Sequence, residues 1–138
     1  MKGFFVTFEG CEGSGKSTQL KLLAQKLDEA GVDYILTREP GGSPIAERIR
    51  EIILDGRNTA MCDECEALLY AAARVQHLKE RVIPALEAGK LVICDRYVYS
   101  SLAYQGYARG LGEDYVADIN AFALKNCPPD PTVFLNIS

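Results

Sequence analysis

Gly10-Cys11-Glu12-Gly13-Ser14-Gly15-Lys16-Ser17 decides how this chain is read. It meets the phosphate-binding pattern G-x-x-x-x-G-K-[ST] at every fixed position. In front of it stands Phe4-Phe5-Val6-Thr7-Phe8, an apolar run that predicts a buried strand. Behind it, Leu20, Leu23, Ala24 and Leu27 fall on one helix face and Lys21, Gln25, Lys26 and Asp28 on the other. Strand, glycine loop and helix together are the context the pattern requires. Glycines let the backbone wrap a phosphate and turn successive N–H groups inward. The helix start adds partial positive charge. Gly10 to Thr18 would then hold a nucleotide's phosphates, with Lys16 on the β and γ groups and the Ser17 hydroxyl on Mg²⁺.

The rest of the chain fits such a site. Its 138 residues suffice for one domain with a real core, and its 48% hydrophobic and 25% charged residues are ordinary for a soluble protein. A net charge of −4 offers no global field for nucleic acid, so phosphate must be held by a few local cations. No apolar run approaches the roughly 20 residues of a membrane span. Met1-Lys2-Gly3 leads straight into the first strand without a signal peptide, which predicts a cytoplasmic protein. The odd count of five cysteines then predicts free thiols. Cys62-Asp63-Glu64-Cys65 has zinc-like spacing, but it has no second pair and His77 is the only histidine, so surface thiols at a helix end are the expectation. Cys11 lies in an anion-binding loop whose amides could lower its pKa and open it to oxidation, but a small loop residue is the expectation.

After the first helix, Ala30-Gly31 is a stop and Tyr34 to Thr37 a second strand. Arg38-Glu39-Pro40-Gly41-Gly42-Ser43 is a loop of chain breakers at its end. Ser43 and Pro44 predict the cap and first residue of a helix with Ile45, Ile49, Ile53 and Leu54 on its apolar side. Asp63 caps a long helix through Leu78, with Pro84 a candidate kink and Gly89 its end. Leu91 to Cys94 is a short continuous apolar strand of the kind found in parallel sheets covered on both faces. Helices are expected over Tyr99–Tyr107 and Glu113–Leu124, the latter with Val116, Ile119, Phe122 and Ala123 inward. A fourth strand is expected over Thr132–Ile137. Alternating strands and helices give an α/β class with a mostly parallel sheet. Ligands of such sheets bind outside the strands' carboxyl ends. That rule gathers residues 10–17, 38–43 and 95–97 on one edge, with Arg38, Arg50, Arg74 and Arg96 as cations near it. Tyr70 and Arg74, four apart on one helix face, offer a ring and a guanidinium, which suits a flat base as well as it suits a core tyrosine beside a surface arginine.

Four motifs in this order resemble thymidylate kinase of the bacterial type: Phe8-Glu9-Gly10 through Lys16-Ser17-Thr18, Thr37-Arg38-Glu39-Pro40-Gly41-Gly42, Tyr70-Ala71-Ala72-Ala73-Arg74-Val75-Gln76 and Asp95-Arg96-Tyr97 through Tyr104-Gln105-Gly106. The resemblance implies a P-loop NTPase-type, nucleoside monophosphate kinase-like, three-layer fold. It implies ATP as phosphoryl donor, Mg²⁺, thymidine 5′-monophosphate as acceptor and a homodimer. By its pattern Glu12 contacts the acceptor's 3′-hydroxyl and the phosphate-binding arginine. Arg96 is that arginine, and Asp95 is the acid near Mg²⁺. Tyr70, usually Phe, stacks on thymine. Arg74 donates to its O4, and Ser101 meets the base edge. Tyr104 crowds the 2′ position, Arg50 lies near the acceptor phosphate and Pro40 near the base. The bacterial type takes its catalytic arginines from a lid, and the chain stops at Ser138 before that lid. The expectation is therefore one kinase domain over 1–138 without lid or C-terminal part, whose own activity is open. The alternatives are another nucleoside monophosphate or deoxynucleoside kinase, or a non-catalytic nucleotide-binding fragment. A guanine switch would carry N-K-x-D, which the sequence lacks.

Overall fold

The computed structural model describes residues 2–10 and 14–135. Four parallel strands, β1 (Phe4–Glu9), β2 (Tyr34–Arg38), β3 (Leu91–Asp95) and β4 (Thr132–Phe134), form one sheet in the order β2-β3-β1-β4. Its helices are α1 (Lys16–Glu29), α2 (Pro44–Leu54), α3 (Asp63–His77), α4 (Ile83–Glu87), α5 (Val98–Ser101), α6 (Glu113–Ile119) and α7 (Ala121–Asn126).

Strand alternation sorts the core into two layers. Phe5, Val92 and Cys94 point to one face, where they meet Leu78, Val82, Leu86, Ala123 and Cys127. Phe8 and Ile93, with Val6 and Leu91, point to the other and are covered by Leu20, Leu23 and Leu27 of α1. Tyr97 joins the first layer. It packs edge-on against Phe5 at 5.1 Å between ring centres and donates its hydroxyl to Cys127 O at 2.7 Å. The two covered faces are why the inner strands read as largely apolar runs, broken in β1 by the buried Thr7.

Register brings the chemistry to one edge. Phe8 lies opposite Asp95, and Arg38 lies opposite the same Asp95 from the other side. The segments leaving β1, β2 and β3 therefore start level with one another.

Several expected boundaries move. The helix expected over Glu113–Leu124 is two helices broken at Asn120, whose side-chain amide donates at 2.8 Å to Val116 O, the carbonyl that also accepts the Asn120 backbone N–H at 3.2 Å. The helix after Asp63 starts one residue earlier, with Cys62 as its cap. It passes through a π-helical turn, Leu78–Val82, in which Ile83 N–H reaches five residues back to Leu78 O. Pro84, which has no N–H to give, follows directly. The segment expected to be helical over Tyr99–Tyr107 begins at Val98 and turns π-helical from Leu102 to Ala108. Of the apolar side assigned to α2, Ile49 and Ile53 are half-buried while Ile45 and Leu54 are exposed, and Ile52 beside them is exposed too. Ala67, Ala71, Ala73, Leu78, Val82 and Leu86 are buried, so that face of the long helical run packs inside the chain.

Candidate active site

The phosphate loop begins where β1 ends. A Cβ on Gly10 would come within 3.0 Å of Ser14 Oγ and 3.1 Å of Leu135 O, a tight fit that would require those neighbours to give by a few tenths of an ångström. Gly15 has φ 85°, a left-handed conformation that turns the chain into α1. Cys11, Glu12 and Gly13, assigned from the sequence to phosphate and sugar contacts, lie outside the described residues, as does the end of the expected fourth strand. Lys16 opens α1 and is nearly buried. Its ammonium sits 2.6 Å from Asp95 Oδ1 and 3.2 Å from Gly10 O. The lysine assigned to phosphate and the acid assigned to Mg²⁺ thus form an ion pair. Ser17 and Thr18 follow on the exposed first turn of the helix.

A cavity of about 560 Å³ joins Lys16, Ser17 and Asp95 to Arg38, Arg50 and Arg96. A second, of about 590 Å³, joins Arg96 to Tyr70, Arg74, Ser101 and Tyr104. Glu39, Pro40, Tyr70 and Arg96 line both, so the two are one continuous cleft. Arg96 stands at the join. Its φ of 71° is costly for a residue with a Cβ, and Arg96 N–H is tied to Phe8 O at 2.8 Å. Among the described residues its guanidinium takes no partner. Arg38 is exposed and paired with Glu47, 3.2 Å away. Arg50 donates to Pro40 O at 2.9 Å, which ties α2 to the turn after β2.

Arg74 differs from these cations. It is buried against Glu39, with side-chain exposures of 3% and 2%. Its Nη1 donates to Ser101 Oγ at 3.1 Å and to Asn120 Oδ1 at 2.6 Å. The other Glu39 oxygen lies 2.9 Å from His77 Nδ1, and His77 Nε2 lies 2.7 Å from Thr37 Oγ1. Burial pushes the Glu39 carboxyl upward, but the Arg74 guanidinium and His77 outweigh this and hold it below the usual carboxylate value. Glu39, His77 and Cys94 also form a buried group of ligating type. The carboxylate there is already engaged by Arg74 and His77, so the group reads as an internal ion-pair network. Cys62 and Cys65 are exposed free thiols.

The sequence reading gave no role to Glu9, Glu39, His77 or Asn120. Glu9 lines the larger cavity, takes Ser100 Oγ–H at 2.6 Å and accepts the Tyr97 N–H. Burial raises its carboxyl despite those two bonds. An acid at the end of β1 and another directly after β2, Glu9 and Glu39, were a visible signal. So was Asn120, an unfavourable residue inside a helical pattern. Tyr104, exposed on the outer wall, receives a hydrogen bond from Arg109, whose guanidinium carbon lies 4.8 Å from its ring centre. Arg109 is in turn tied to Glu66 of α3 at 3.4 Å.

A family model described as thymidylate kinase matches residues 8–138. Thymidylate kinase of Oceanobacillus iheyensis is 59% identical over 137 residues, which cover 99% of this chain and 61% of that protein. Thymidylate kinase of Clostridium novyi is 57% identical over 136 residues, covering 99% and 66%. The chain thus spans 61% and 66% of the length of these two curated relatives. The crystal structure of thymidylate kinase from Ehrlichia chaffeensis superposes with a TM-score of 0.90 at 36% identity, covering 100% of this chain and 78% of that one.

Proposed function

The chain belongs to the thymidylate kinase family, and from that premise we propose that it transfers the γ-phosphoryl group of ATP to the 5′-phosphate of thymidine monophosphate, giving dTDP and ADP. The observation that carries this reading is the single cleft with Arg96 at its middle. One arm ends at Lys16 and the start of α1, the other at Tyr70, Arg74 and Ser101. Two nucleotides laid head to head along it would meet at Arg96.

The acceptor phosphate is already ionised, so the transfer needs neither a strong general base nor a covalent enzyme intermediate. Placement and charge neutralisation suffice. Lys16 would leave Asp95 for the β and γ phosphates of ATP. Arg96, with Arg50 and Arg38 nearby, would hold the acceptor phosphate in line. Ser17 and Asp95 supply hard oxygen donors on one cavity wall, which fits Mg²⁺. Bound there, the ion would neutralise charge on the donor phosphates. Tyr70 would stack on the base, Ser101 and Arg74 would face its edge, Pro40 would border it, and Tyr104 would narrow the sugar site. Glu12 would touch the 3′-hydroxyl.

The reading takes 1–138 as one kinase domain of a cytoplasmic protein. No helix among the described residues is long and apolar enough to cross a membrane. It also takes the uncovered Ile45, Ile52 and Leu54 of α2, with Leu68 of α3, as the face met by a second copy in a homodimer.

The test is chromatographic detection of diphosphate product with ATP, Mg²⁺ and thymidine, uridine, cytidine or adenosine monophosphate in turn. The reading expects dTDP as the dominant product. A different preferred acceptor would move the chain to another kinase specificity. Binding of both nucleotides without product would make it a non-catalytic nucleotide-binding fragment.

A further inference from the structure

The far arm of the cleft ends on a cation that has been neutralised. Arg74 Nε donates to Glu39 Oε1 at 2.5 Å, inside a pair almost sealed from water. Nη1 is held twice, by Asn120 Oδ1 and Ser101 Oγ, and the Tyr97 ring centre lies 5.4 Å from the guanidinium carbon. Among the described residues no partner is taken by Nη2. The Glu39 carboxylate is itself fixed by His77, and His77 by Thr37. Elements from four parts of the chain therefore converge to lock one guanidinium in the cavity wall.

A bare guanidinium is a strong phosphate ligand. At this position it would compete with Arg96 and invite a nucleotide to enter the cleft backwards. Paired with Glu39, it keeps an N–H donor but offers no net charge. A phosphate therefore gains little there, whereas an uncharged ring carbonyl gains a hydrogen bond. An exocyclic amino group at the same place would meet donor with donor. The cleft is thus graded, with unneutralised Arg96 in the middle and a charge-cancelled donor at the base end.

We infer that Glu39 is the orientation-determining residue of this cleft. By cancelling the Arg74 charge it closes the base end to phosphate and opens it to a neutral carbonyl acceptor. His77 and Asn120 are positioning residues that hold the two partners. The inference rests on the kinase reading above and adds to it a reason why an acceptor nucleotide lies one way round.

The experiment uses thymidine, which carries the base without a phosphate, and inorganic phosphate, which carries the reverse. Calorimetric titration measures thymidine binding with and without saturating phosphate, beside a count of phosphate sites. In the wild-type protein, phosphate should leave thymidine binding intact. In Glu39→Gln the uncovered guanidinium should gain a phosphate site, and phosphate should weaken thymidine binding by about tenfold or more. Equal insensitivity to phosphate in folded wild type and folded Glu39→Gln overturns the inference.

An unpaired buried charge endangers folding, so melting curves accompany the titrations. If Glu39→Gln does not fold, the wild-type titration carries the test, since phosphate that displaces thymidine from the wild-type protein overturns the inference. Asn120→Ala tests the positioning role. It keeps the ion pair, so phosphate should still not compete. Its loosened guanidinium should bind thymidine roughly tenfold more weakly, while the extra affinity of the monophosphate over thymidine is unchanged. Thymidine affinity equal to wild type would overturn the positioning role. A wild-type protein that binds neither thymidine nor its monophosphate would bring down the kinase reading itself, a result distinct from either.

Discussion

Replacing Lys16 by Met keeps an unbranched buried stem and removes the ammonium. Two consequences of different size follow. In the folded protein the ammonium contacts Asp95 at 2.6 Å and Gly10 O at 3.2 Å. The Lys16 side chain is 8% exposed and that of Asp95 30%. Asp95 therefore keeps water when its partner goes. The stability cost should be on the order of 1–2 kcal/mol, below the roughly 3–5 kcal/mol of a sealed pair cut in half. The melting temperature should fall by only a few degrees. In the reacting complex the loss is larger. A preorganised donor aimed at developing charge contributes about 2.7–4 kcal/mol, which corresponds to roughly 10²–10³ in kcat. Urea melts read the first effect and a coupled ADP-release assay at saturating substrates reads the second. A kcat close to wild type refutes the placement of Lys16 on the transferred phosphoryl group. A stability loss of sealed-pair size refutes the account of its resting partner.

Other perturbations separate scaffold from site. Tyr97→Phe should keep the edge-on contact with Phe5 and strand the buried Cys127 carbonyl. We expect about 1–2 kcal/mol lost in urea melts with an unchanged denaturant slope. Tyr104→Ala should erode the preference for deoxyribose over ribose acceptors, and Arg109→Gln, which only releases the ring, should do so more weakly. Comparing kcat/KM on the two sugars checks both. The two buried acids predict opposite pH dependences. Glu39 has a lowered folded pKa, so its contribution is present above the unfolded value of 4.5 and lost as pH falls through the folded one. Glu9 has a raised folded pKa, so its contribution is present below 4.5 and lost as pH rises through that raised value. Glu9→Gln should therefore gain stability relative to wild type as pH climbs from 4 toward 7. A difference flat in pH would contradict the burial of a charged Glu9.

Much of the architecture was legible because it is written in short-range pattern. Phe4 to Phe8, interrupted only by Thr7, and Leu91 to Cys94 are apolar runs because both sheet faces are covered. Gly15 and Lys16 mark the turn into α1 because only a few residues satisfy that geometry. What failed was local reasoning applied to residues with distant obligations. Asn120 is an unfavourable residue in a helical pattern, yet no local pattern shows that its side chain caps Val116 O and holds Arg74, 46 residues away in sequence. Ile45 and Leu54 carry a core-like pattern and are exposed, since periodicity marks an apolar face without saying what covers it.

The sequence by itself determined the order of strands and helices, the strand-loop-helix unit that ends in Lys16 and Ser17, and the edge of the sheet where chemistry would gather. These follow from side-chain period and backbone permissiveness, which act over a few residues. Only the tertiary structure decided which arginines are charges and which are not. Arg74 and Arg96 are the same residue type, yet one is cancelled by Glu39 while the other meets no carboxylate among the described residues. That difference comes from burial and from partners brought together across the chain.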